Sequence, residues 1–447
     1  MSEPRDLTIA DAMGRMRRGE LKAEDLVASC LERIHRRDGA VRAWVEVYEA
    51  QALEEARGCD AGFRAGRWRG DLHGIPVGVK DIIDVEGMWT RAGCSVYPPR
   101  AAESDAPAVK RIRDAGAVIL GKTETTAFAN NDPAVTCNPW NTGHTPGGSS
   151  SGSGAAVADR MCLAALGTQT GGSVLRPAAY NGVVGFKPTY ASISTEGVIP
   201  VSWTLDHVGP LARSVQDAKI LFDVLRDPHP DPFARAPAGS HHHDEQERGT
   251  RLQLGYFRKF AAAEATAAVM KHLDAVLKTC EQAGMEIIEL DFTEGFAAAA
   301  GAHRTIMDAE LAAYQRELFG SEGDQYPPNI KARIEKGMTV PGYAYIEAIH
   351  RRIAFQNAFD DALSGVDAAV SPTAPSTAPR GLVSTGSPVF CVPWSISGFP
   401  AITIPSGLDE QGLPLALLIG SKPMDEEKLF TVAARCERLL SFASRPV

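Results

Sequence analysis

The sequence lacks the features that mark disulfide-rich, metal-binding and membrane-spanning proteins. Its eight cysteines are scattered, and none forms the Cys-x-x-Cys pair of a zinc or redox site. No stretch approaches 18 uninterrupted apolar residues, and the N-terminal residues lack the apolar segment of a secretory signal. These absences predict a cytoplasmic protein with reduced thiols and with no metal, no cofactor and no membrane contact.

Basic runs are also missing. No run of Lys and Arg is longer than two residues, and the formal net charge is −9, so a nucleic-acid partner is not expected. The chain has 447 residues, of which 44% are hydrophobic and 23% charged, the balance of an ordinary globular protein. A chain of this length has ample apolar surface to bury and needs no disulfide or metal to hold it together.

Short apolar runs alternate with helical patterns in the first half of the chain. Residues 6–66 read as helical, residues 75–79 and 117–120 as buried strands, and residues 105–115 as a helix between them. This alternation predicts a sheet covered on both faces by helices.

Two loops rich in glycine and serine interrupt this pattern. Residues 143–154 and 167–173 consist of small residues that permit unusual backbone angles, and a short small-residue helix is predicted at 155–158. The stretch 227–250, rich in Pro, Ala, Gly and His, predicts a surface loop.

The second half is predicted to mix helices and strands. Residues 261–350 read as mostly helical, and a last helix is expected at 425–441. The predicted strands are 252–256, 286–290, 368–370, 401–404 and 414–419.

A phosphate-binding loop is one function that the sequence suggests and context argues against. Residues 116–123 match the phosphate-loop string literally, from Gly116 to Lys122 and Thr123. The motif needs a flexible loop, but the interior Ala-Val-Ile-Leu favours a buried strand, so we expect a strand followed by a turn.

Two further patterns are also weak. Ser150 is the central residue of a G-x-S-x-G string, but a turn-rich polar segment precedes it where a hydrophobic strand should stand, and His207 and His303 have no distinguishing context as its base. The run His241, His242 and His243 cannot converge on one metal ion with defined geometry, so we expect a solvated loop.

Lys80 and Ser173 stand out by position. Lys80 ends a strand-like run, where partial desolvation would favour the neutral amine that a general base requires. By position alone, an ion pair of Lys80 with Asp81 or Asp84 at the surface is an equally good interpretation. Ser173 ends the run from Gly167 to Gly172, whose backbone N–H groups could form an oxyanion hole, although an ordinary turn is the simpler interpretation of Gly-Gly-Ser alone.

Taken together, several segments resemble the amidase signature family, over about residues 5 to 442. The segments that carry this resemblance are 74–81, 105–107, 116–123, 138–141, 145–150, 167–173, 185–189, 206–210, 371–375, 398–401 and the Gly412-Leu-Pro region. The resemblance implies one α/β domain over 1–447, an α/β/α sandwich with a large mixed central sheet, and a helical substrate-side region at about 261–350.

The resemblance also implies a catalytic set of Lys80 as base, Ser149 as proton relay after a cis peptide bond, and Ser173 as nucleophile. It implies an oxyanion hole of backbone N–H groups, and a loop that lines the acyl side of the substrate. The oxyanion residues would be Thr170, Gly171, Gly172 and Ser173, and the loop residues Ala127, Phe128 and Asn131. Two positions depart from the family pattern, Gln169 in place of an acid and Arg176 one position late, and their roles stay open.

The expected function is hydrolysis of a carbon–nitrogen bond in a small or aryl amide or a carbamate, through an acyl-enzyme, by a monomer or homodimer. The alternative is the glutaminase subunit of an amidotransferase, which shares the fold but passes ammonia to a partner. A binding protein on an inactive hydrolase scaffold is a third candidate, which the presence of all three catalytic residues argues against. Substrate choice is expected to lie in residues 290–350, where four aromatic side chains either line a pocket or belong to the core: Tyr314, Phe319, Tyr343 and Tyr345.

Overall fold

The computed structural model describes residues 3–227 and 251–446. Its helices are α1 (Ile9–Arg17), α2 (Ala23–Val41), α3 (Glu49–Arg64), α4 (Pro107–Asp114), α5 (Ser151–Ala158), α6 (Leu175–Asn181), α7 (Val215–Leu225), α8 (Arg258–Glu264), α9 (Ala267–Gln282), α10 (Thr293–Glu322), α11 (Pro328–Met338), α12 (Gly342–Ala362), α13 (Val392–Ser397) and α14 (Glu426–Leu440). Its strands are β1 (Trp44–Val47), β2 (Pro76–Lys80), β3 (Trp89–Thr90), β4 (Arg100–Ala101), β5 (Val118–Thr123), β6 (Ala164–Gln169), β7 (Val184–Lys187), β8 (His207–Ala212), β9 (Gln253–Tyr256), β10 (Glu286–Glu289), β11 (Ala368–Pro372), β12 (Ala401–Leu408) and β13 (Pro414–Gly420). Three single-turn 3-10 helices lie at Pro4–Asp6, Ala127–Ala129 and Gly323–Gln325.

One mixed sheet organises the described chain. Its eleven strands run in the order β1-β5-β2-β6-β8-β7-β12-β13-β11-β9-β10. Strands β5, β2 and β6 are mutually parallel, as are β11, β9 and β10, and the other neighbours pair antiparallel. Helices cover both faces, so the predicted α/β/α sandwich with a large mixed sheet is confirmed.

The parallel strands β2 and β5 form the interior of the first half. Every residue of both strands is buried, as expected for parallel strands covered on two faces. The predicted strands at 75–79 and 117–120 are therefore confirmed, and the helix predicted between them is α4. The phosphate-loop string is largely strand β5, which agrees with the expected strand and leaves no flexible loop for phosphate.

Three boundaries differ from prediction. Residues 6–66 are not helical throughout, because β1 separates α2 from α3 and pairs antiparallel with β5, whose edge offers main-chain partners that helical propensity cannot reveal. The second glycine-rich loop starts at Thr170 rather than at Gly167, because β6 continues to Gln169 between β2 and β8. Helix α5 starts at Ser151, four residues before the predicted helix.

Small residues allow α5 to start so early. A Cβ atom on Gly152 would lie 2.1 Å from the carbonyl oxygen of Ala43 and 2.3 Å from the nitrogen of Glu124, so only glycine fits there. All eight residues of α5 are buried, and the helix therefore packs close against the strands that carry the candidate site.

The second half follows the predicted order. Helices α8 to α12 fill most of residues 261–350, with β10 between them, and β9 to β13 and α14 lie within two residues of most predicted boundaries. The surface loop predicted at 227–250 and the three histidines within it lie outside the described residues, except for Asp227. No helix in residues 3–227 and 251–446 is both long and apolar enough to cross a bilayer.

The sheet brings the candidate residues together. Lys80 is the last residue of β2 and Gln169 the last of β6, and these strands are parallel neighbours. Their carboxyl ends therefore meet at one edge of the sheet, where loops in open α/β folds commonly carry binding residues.

Candidate active site

Lys80 is completely buried at the end of β2 and has two hydroxyl partners. Its Nζ atom lies 2.7 Å from Ser149 Oγ and 2.7 Å from Thr168 Oγ1. Burial lowers the pKa of Lys80 well below its ordinary value, and the charge of Asp206 opposes this shift only in part. Burial therefore favours the uncharged amine that a general base requires.

The acids beside Lys80 in the sequence are engaged elsewhere. Asp81 faces Lys122, with 3.6 Å between the carboxylate and the ammonium nitrogen. Asp84 pairs with Arg100 at 2.6 Å and accepts a hydrogen bond from Thr90. The alternative of a surface ion pair between Lys80 and either acid is wrong.

Ser149 accepts a hydrogen bond from Lys80, and its neighbour Ser150 contacts the loop that carries Ser173. The peptide bond between Gly148 and Ser149 is cis, as the family resemblance implied. The next residue, Ser150, donates its backbone N–H to the carbonyl of Ser173 at 3.3 Å, which ties the two serine loops together. Ser149 is buried and Ser173 is half-buried, so of the two hydroxyls that of Ser173 is the more accessible to a substrate.

The loop 170–173 offers free backbone donors. No hydrogen bond among the described residues uses the N–H of Gly171, Gly172 or Ser173. A Cβ on Gly172 would lie 2.8 Å from Pro388 Cβ, so the close packing of this loop against the segment before α13 requires glycine there. Unpaired, fixed donors beside a hydroxyl are what an oxyanion hole requires.

Gln169 holds this loop through three hydrogen bonds. Its Oε1 accepts the N–H groups of Val174 at 2.9 Å and Leu175 at 3.0 Å, and its Nε2 donates to Ser395 Oγ at 3.0 Å. Ser395 in turn donates its single hydroxyl proton to the carbonyl of Gly171 at 2.8 Å. The amide of Gln169 therefore fixes both ends of the candidate oxyanion loop.

We expect Gln169→Glu to reduce kcat with little change in KM, because Ser395 has only one hydroxyl proton. A second carboxylate oxygen in place of Nε2 would require that proton and would take it from Gly171. The loss of one loop hydrogen bond predicts a decrease in kcat of roughly fivefold to tenfold, which corresponds to about 1 kcal/mol. Steady-state kinetics check this, with Ser395→Ala as the matched control that removes the same Gly171 contact. Unchanged kcat in both variants would contradict the proposed role.

Arg176 braces the peptide that precedes Ser149. It is buried and donates to the carbonyl oxygens of Gly148 and Gly386, each at 2.6 Å. Although Arg176 stands one position later than the family pattern, the first turn of α6 still brings its guanidinium to the Gly148–Ser149 peptide. The two departures noted in the sequence thus both support the loops that carry the candidate catalytic serines.

Two more residues contact Thr170, and sequence reasoning assigned them no role. Asp206 accepts a hydrogen bond from the Thr170 hydroxyl, and burial raises the pKa of this acid to about 6. His303 on α10 lies 2.9 Å from the Thr170 carbonyl through Nε2, and burial lowers its pKa to about 4, so the ring is neutral and donates. Asp206 begins a segment that carries the family resemblance, but its contact with Thr170, like that of His303, is visible only in the folded chain.

The alternative nucleophile Ser150 is not set up for catalysis. It is fully buried, and its Oγ lies 3.2 Å from both the carbonyl oxygen and the nitrogen of Thr168. His207 and His303 bind main-chain carbonyls, so neither acts as its base.

The predicted acyl-side loop is anchored to the helical region. Ala127 and Phe128 are buried, and Phe128 stacks on Tyr326 with 5.5 Å between ring centroids, whereas Asn131 is exposed. Asp132 accepts the N–H groups that begin α11, those of Asn329 and Ile330. Among the described residues, no group of three or more His, Cys, Asp or Glu side chains is arranged to hold a metal ion.

Comparison with known proteins gives a consistent picture. The family model "Amidase" matches residues 25–430. The chain is 31% identical to a glutamyl-tRNA(Gln) amidotransferase subunit of Synechococcus sp. (strain CC9605), over 99% of this chain and 98% of that protein. Among solved structures, it resembles an amidase, with a TM-score of 0.87, 28% identity and coverage of 97% of this chain and 99% of the other. It also resembles the native peptide amidase of Stenotrophomonas maltophilia, with a TM-score of 0.83, 30% identity and coverage of 98% of each chain.

Proposed function

From the premise that the chain belongs to the amidase family, a family of carbon–nitrogen hydrolases, we propose that it cleaves a small or aryl amide or a carbamate through an acyl-enzyme on Ser173. The observation that carries this proposal is Lys80, which is buried 2.7 Å from Ser149 Oγ and has no acidic hydrogen-bond partner in the part of the chain that the structure describes. A neutral amine in that position can accept the hydroxyl proton of Ser149 while it donates to Thr168.

The proposed reaction begins with proton transfer along two serines. Ser173 attacks the carbonyl carbon and passes its proton to Ser149, which passes its own to Lys80. The N–H groups of the 170–173 loop stabilise the negative charge that develops on the carbonyl oxygen; losing one such donor typically costs about 2.7–4 kcal/mol.

Collapse of the tetrahedral intermediate breaks the carbon–nitrogen bond. The proton returns from Lys80 through Ser149 to the leaving nitrogen, and the amine departs. Water then attacks the acyl-enzyme with the same residues as base, and its proton returns to Ser173 as the acid product leaves. A carbamate follows the same path, because the additional oxygen beside the carbonyl requires no new catalytic residue.

The glutaminase subunit of an amidotransferase is the second candidate, and the curated relatives favour it over the first. Several relatives that are subunits of glutamyl-tRNA(Gln) amidotransferases are 29–33% identical to this chain over 95–99% of its length. The catalytic residues would be the same, but the substrate would be glutamine and a partner would receive the ammonia. The peptide amidase, at 30% identity, supports the first candidate. The two candidates therefore differ in substrate and partner, not in the proposed chemistry.

A substrate panel separates the candidates. We expect the purified chain to hydrolyse p-nitroanilides, primary amides or carbamates faster than glutamine, and to do so as a monomer or homodimer. Release of ammonia or amine is measured for each substrate, with Ser173→Ala as the blank, and size-exclusion chromatography with light scattering gives the oligomeric state. Glutamine as the preferred substrate would establish the second candidate. Activity that persists in Ser173→Ala on every substrate would contradict both.

A further inference from the structure

An open cleft of about 410 Å³ is lined by two aromatic side chains and by Asp206, which contacts Thr170 of the candidate oxyanion loop. Trp203 and Tyr314 line it, with 52% and 37% of their surfaces exposed. Their rings meet edge to face, with 6.2 Å between centroids and 80° between planes. Large aromatic side chains left exposed in a concave site commonly mark ligand binding.

The floor of the cleft connects to the candidate oxyanion loop. Asp206 lines the cleft and accepts the hydroxyl of Thr170 with one oxygen, while its other oxygen accepts the N–H groups of Val201 at 2.8 Å and Ser202 at 3.0 Å. The segment that lines the cleft also pairs with the chain just beyond Lys80, because the N–H of Ile199, between the lining residues Val198 and Pro200, bonds to the carbonyl of Ile82 at 2.9 Å. The cleft is therefore connected to the candidate oxyanion loop through a single side chain, Asp206.

The segment that carries Trp203 is fixed in place. The Trp203 carbonyl accepts the hydroxyl of Tyr190 at 2.8 Å. Glu310 on α10 accepts the N–H of Thr204 at 3.1 Å and the hydroxyl of Tyr345 at 2.6 Å. Because α10 also carries Tyr314, Glu310 ties the segment of Trp203 to the helix of Tyr314. Both aromatic side chains are therefore held on fixed backbone, and little backbone ordering is required when a ring binds.

The charge of the lining favours neutral or cationic groups. Its titratable side chains are Glu196, Asp206 and Tyr314, and no Lys, Arg or His of residues 3–227 and 251–446 lines it. Burial raises the pKa of Asp206 to about 6, so this acid is still mostly ionised at neutral pH. Arg100, which lies near Tyr314, is already paired with Asp84 at 2.6 Å.

We infer that the cleft binds an uncharged or cationic aromatic ring of the substrate, with Trp203 as the principal contact, and that it disfavours a carboxylate in the same position. This inference rests on the proposed function, because it takes the ring to be part of the amide cleaved at Ser173. A ring packed against the exposed faces of Trp203 and Tyr314 would find the apolar area and the offset or edge-to-face geometry that aromatic groups prefer.

Binding to the Ser173→Ala protein tests the inference without turnover. Benzamide is compared with cyclohexanecarboxamide, and acetanilide with N-cyclohexylacetamide, so that each pair differs in aromaticity and not in ring size. We expect the aromatic member of at least one pair to bind roughly tenfold more tightly by calorimetry. Adding Trp203→Ala should abolish this preference, whereas Trp203→Phe should retain most of it.

The control is Tyr343→Ala, which removes an aromatic side chain that is 69% exposed and does not line the cleft. It should leave the preference unchanged. Equal affinity within both pairs, or a preference that survives Trp203→Ala, would overturn the inference. Tighter binding of 4-carboxybenzamide than of benzamide would overturn its charge component. A failure of the proposed function would instead appear as absent Ser173-dependent hydrolysis, which these binding measurements do not require.

Discussion

Ser173→Ala is expected to lower kcat/KM for amide hydrolysis by about 10⁴-fold to 10⁶-fold, the range seen when a serine hydrolase loses its nucleophile. The fold should survive, because the Ser173 side chain is half-buried, makes no hydrogen bond among the described residues, and keeps its carbonyl bond to Ser150 in the variant. Kinetics and thermal unfolding of the same preparation measure both effects.

Mass spectrometry of the intact wild-type protein supplies a direct readout. A slowly deacylating carbamate or activated ester should add the mass of one acyl group, which peptide mapping locates on Ser173. The Ser173→Ala protein should stay unlabelled under the same conditions. An adduct elsewhere, or full turnover by Ser173→Ala, would rule out the proposed nucleophile.

Ser150→Ala is the matched control, because Ser150 is the competing serine of the G-x-S-x-G string. Among the described residues its hydroxyl hydrogen-bonds only to the backbone of Thr168. We therefore expect this variant to lose stability, by roughly 1–3 kcal/mol, and to keep its catalytic chemistry. Acyl transfer at Ser173 should remain measurable below the melting temperature. Abolition of acylation in a folded Ser150→Ala protein would favour Ser150 as the nucleophile instead.

Local composition was sufficient to predict much of the fold. Runs such as 75–79 and 117–120 are apolar enough to predict buried strands, and the high content of glycine and serine predicts the two loops. The edge strand β1 was missed because Trp44–Val47 sits between two helical patterns, and only its pairing with β5 makes it a strand. Hydrogen bonding to a distant strand determines the conformation of this segment, and such pairing cannot be predicted from a single sequence.

In the candidate site, too, residues in local motifs could be predicted from the sequence, whereas residues that act through distant contacts could not. Lys80, Ser149 and Ser173 were identified through motifs that a family resemblance makes specific, although composition alone left surface pairing of Lys80 open. The residues that support them lie far away in the sequence: Ser395 reaches Gln169 across 226 positions and His303 reaches Thr170 across 133. The sequence does not single out Trp203, because a lone aromatic residue in a loop belongs to no periodic pattern. Of the four aromatic residues suggested at 290–350, only Tyr314 lines the cleft.

Lys80→Met is expected to lower kcat by about 10³-fold, within the 10²–10⁴ that a general base typically contributes. In the wild type, the rate should rise with pH on the acid side, because protonated Lys80 cannot accept a proton and the neutral form accumulates as the pH rises through its lowered pKa. The residual activity of Lys80→Met should lack this rise. Rate profiles of kcat/KM measure the difference, with Lys278→Met, at an exposed position on α9, as the control for loss of one positive charge. An identical acid limb in wild type and Lys80→Met would assign the limb to another group.

The same shift predicts how stability depends on pH. Since the pKa of Lys80 is lower in the folded than in the unfolded chain, this group binds more protons in the unfolded state between the folded pKa and about 10.4. Its contribution to the free energy of unfolding therefore rises with pH in that window. The wild-type value minus the Lys80→Met value should therefore increase toward alkaline pH, by up to about 1.4 kcal/mol per pH unit. The lost hydrogen bonds to Ser149 and Thr168 add an offset that does not vary with pH in this range. Urea unfolding of both proteins at pH 7, 8 and 9 gives the slope, and a flat difference would mean that Lys80 keeps its proton in the folded protein and cannot be the base.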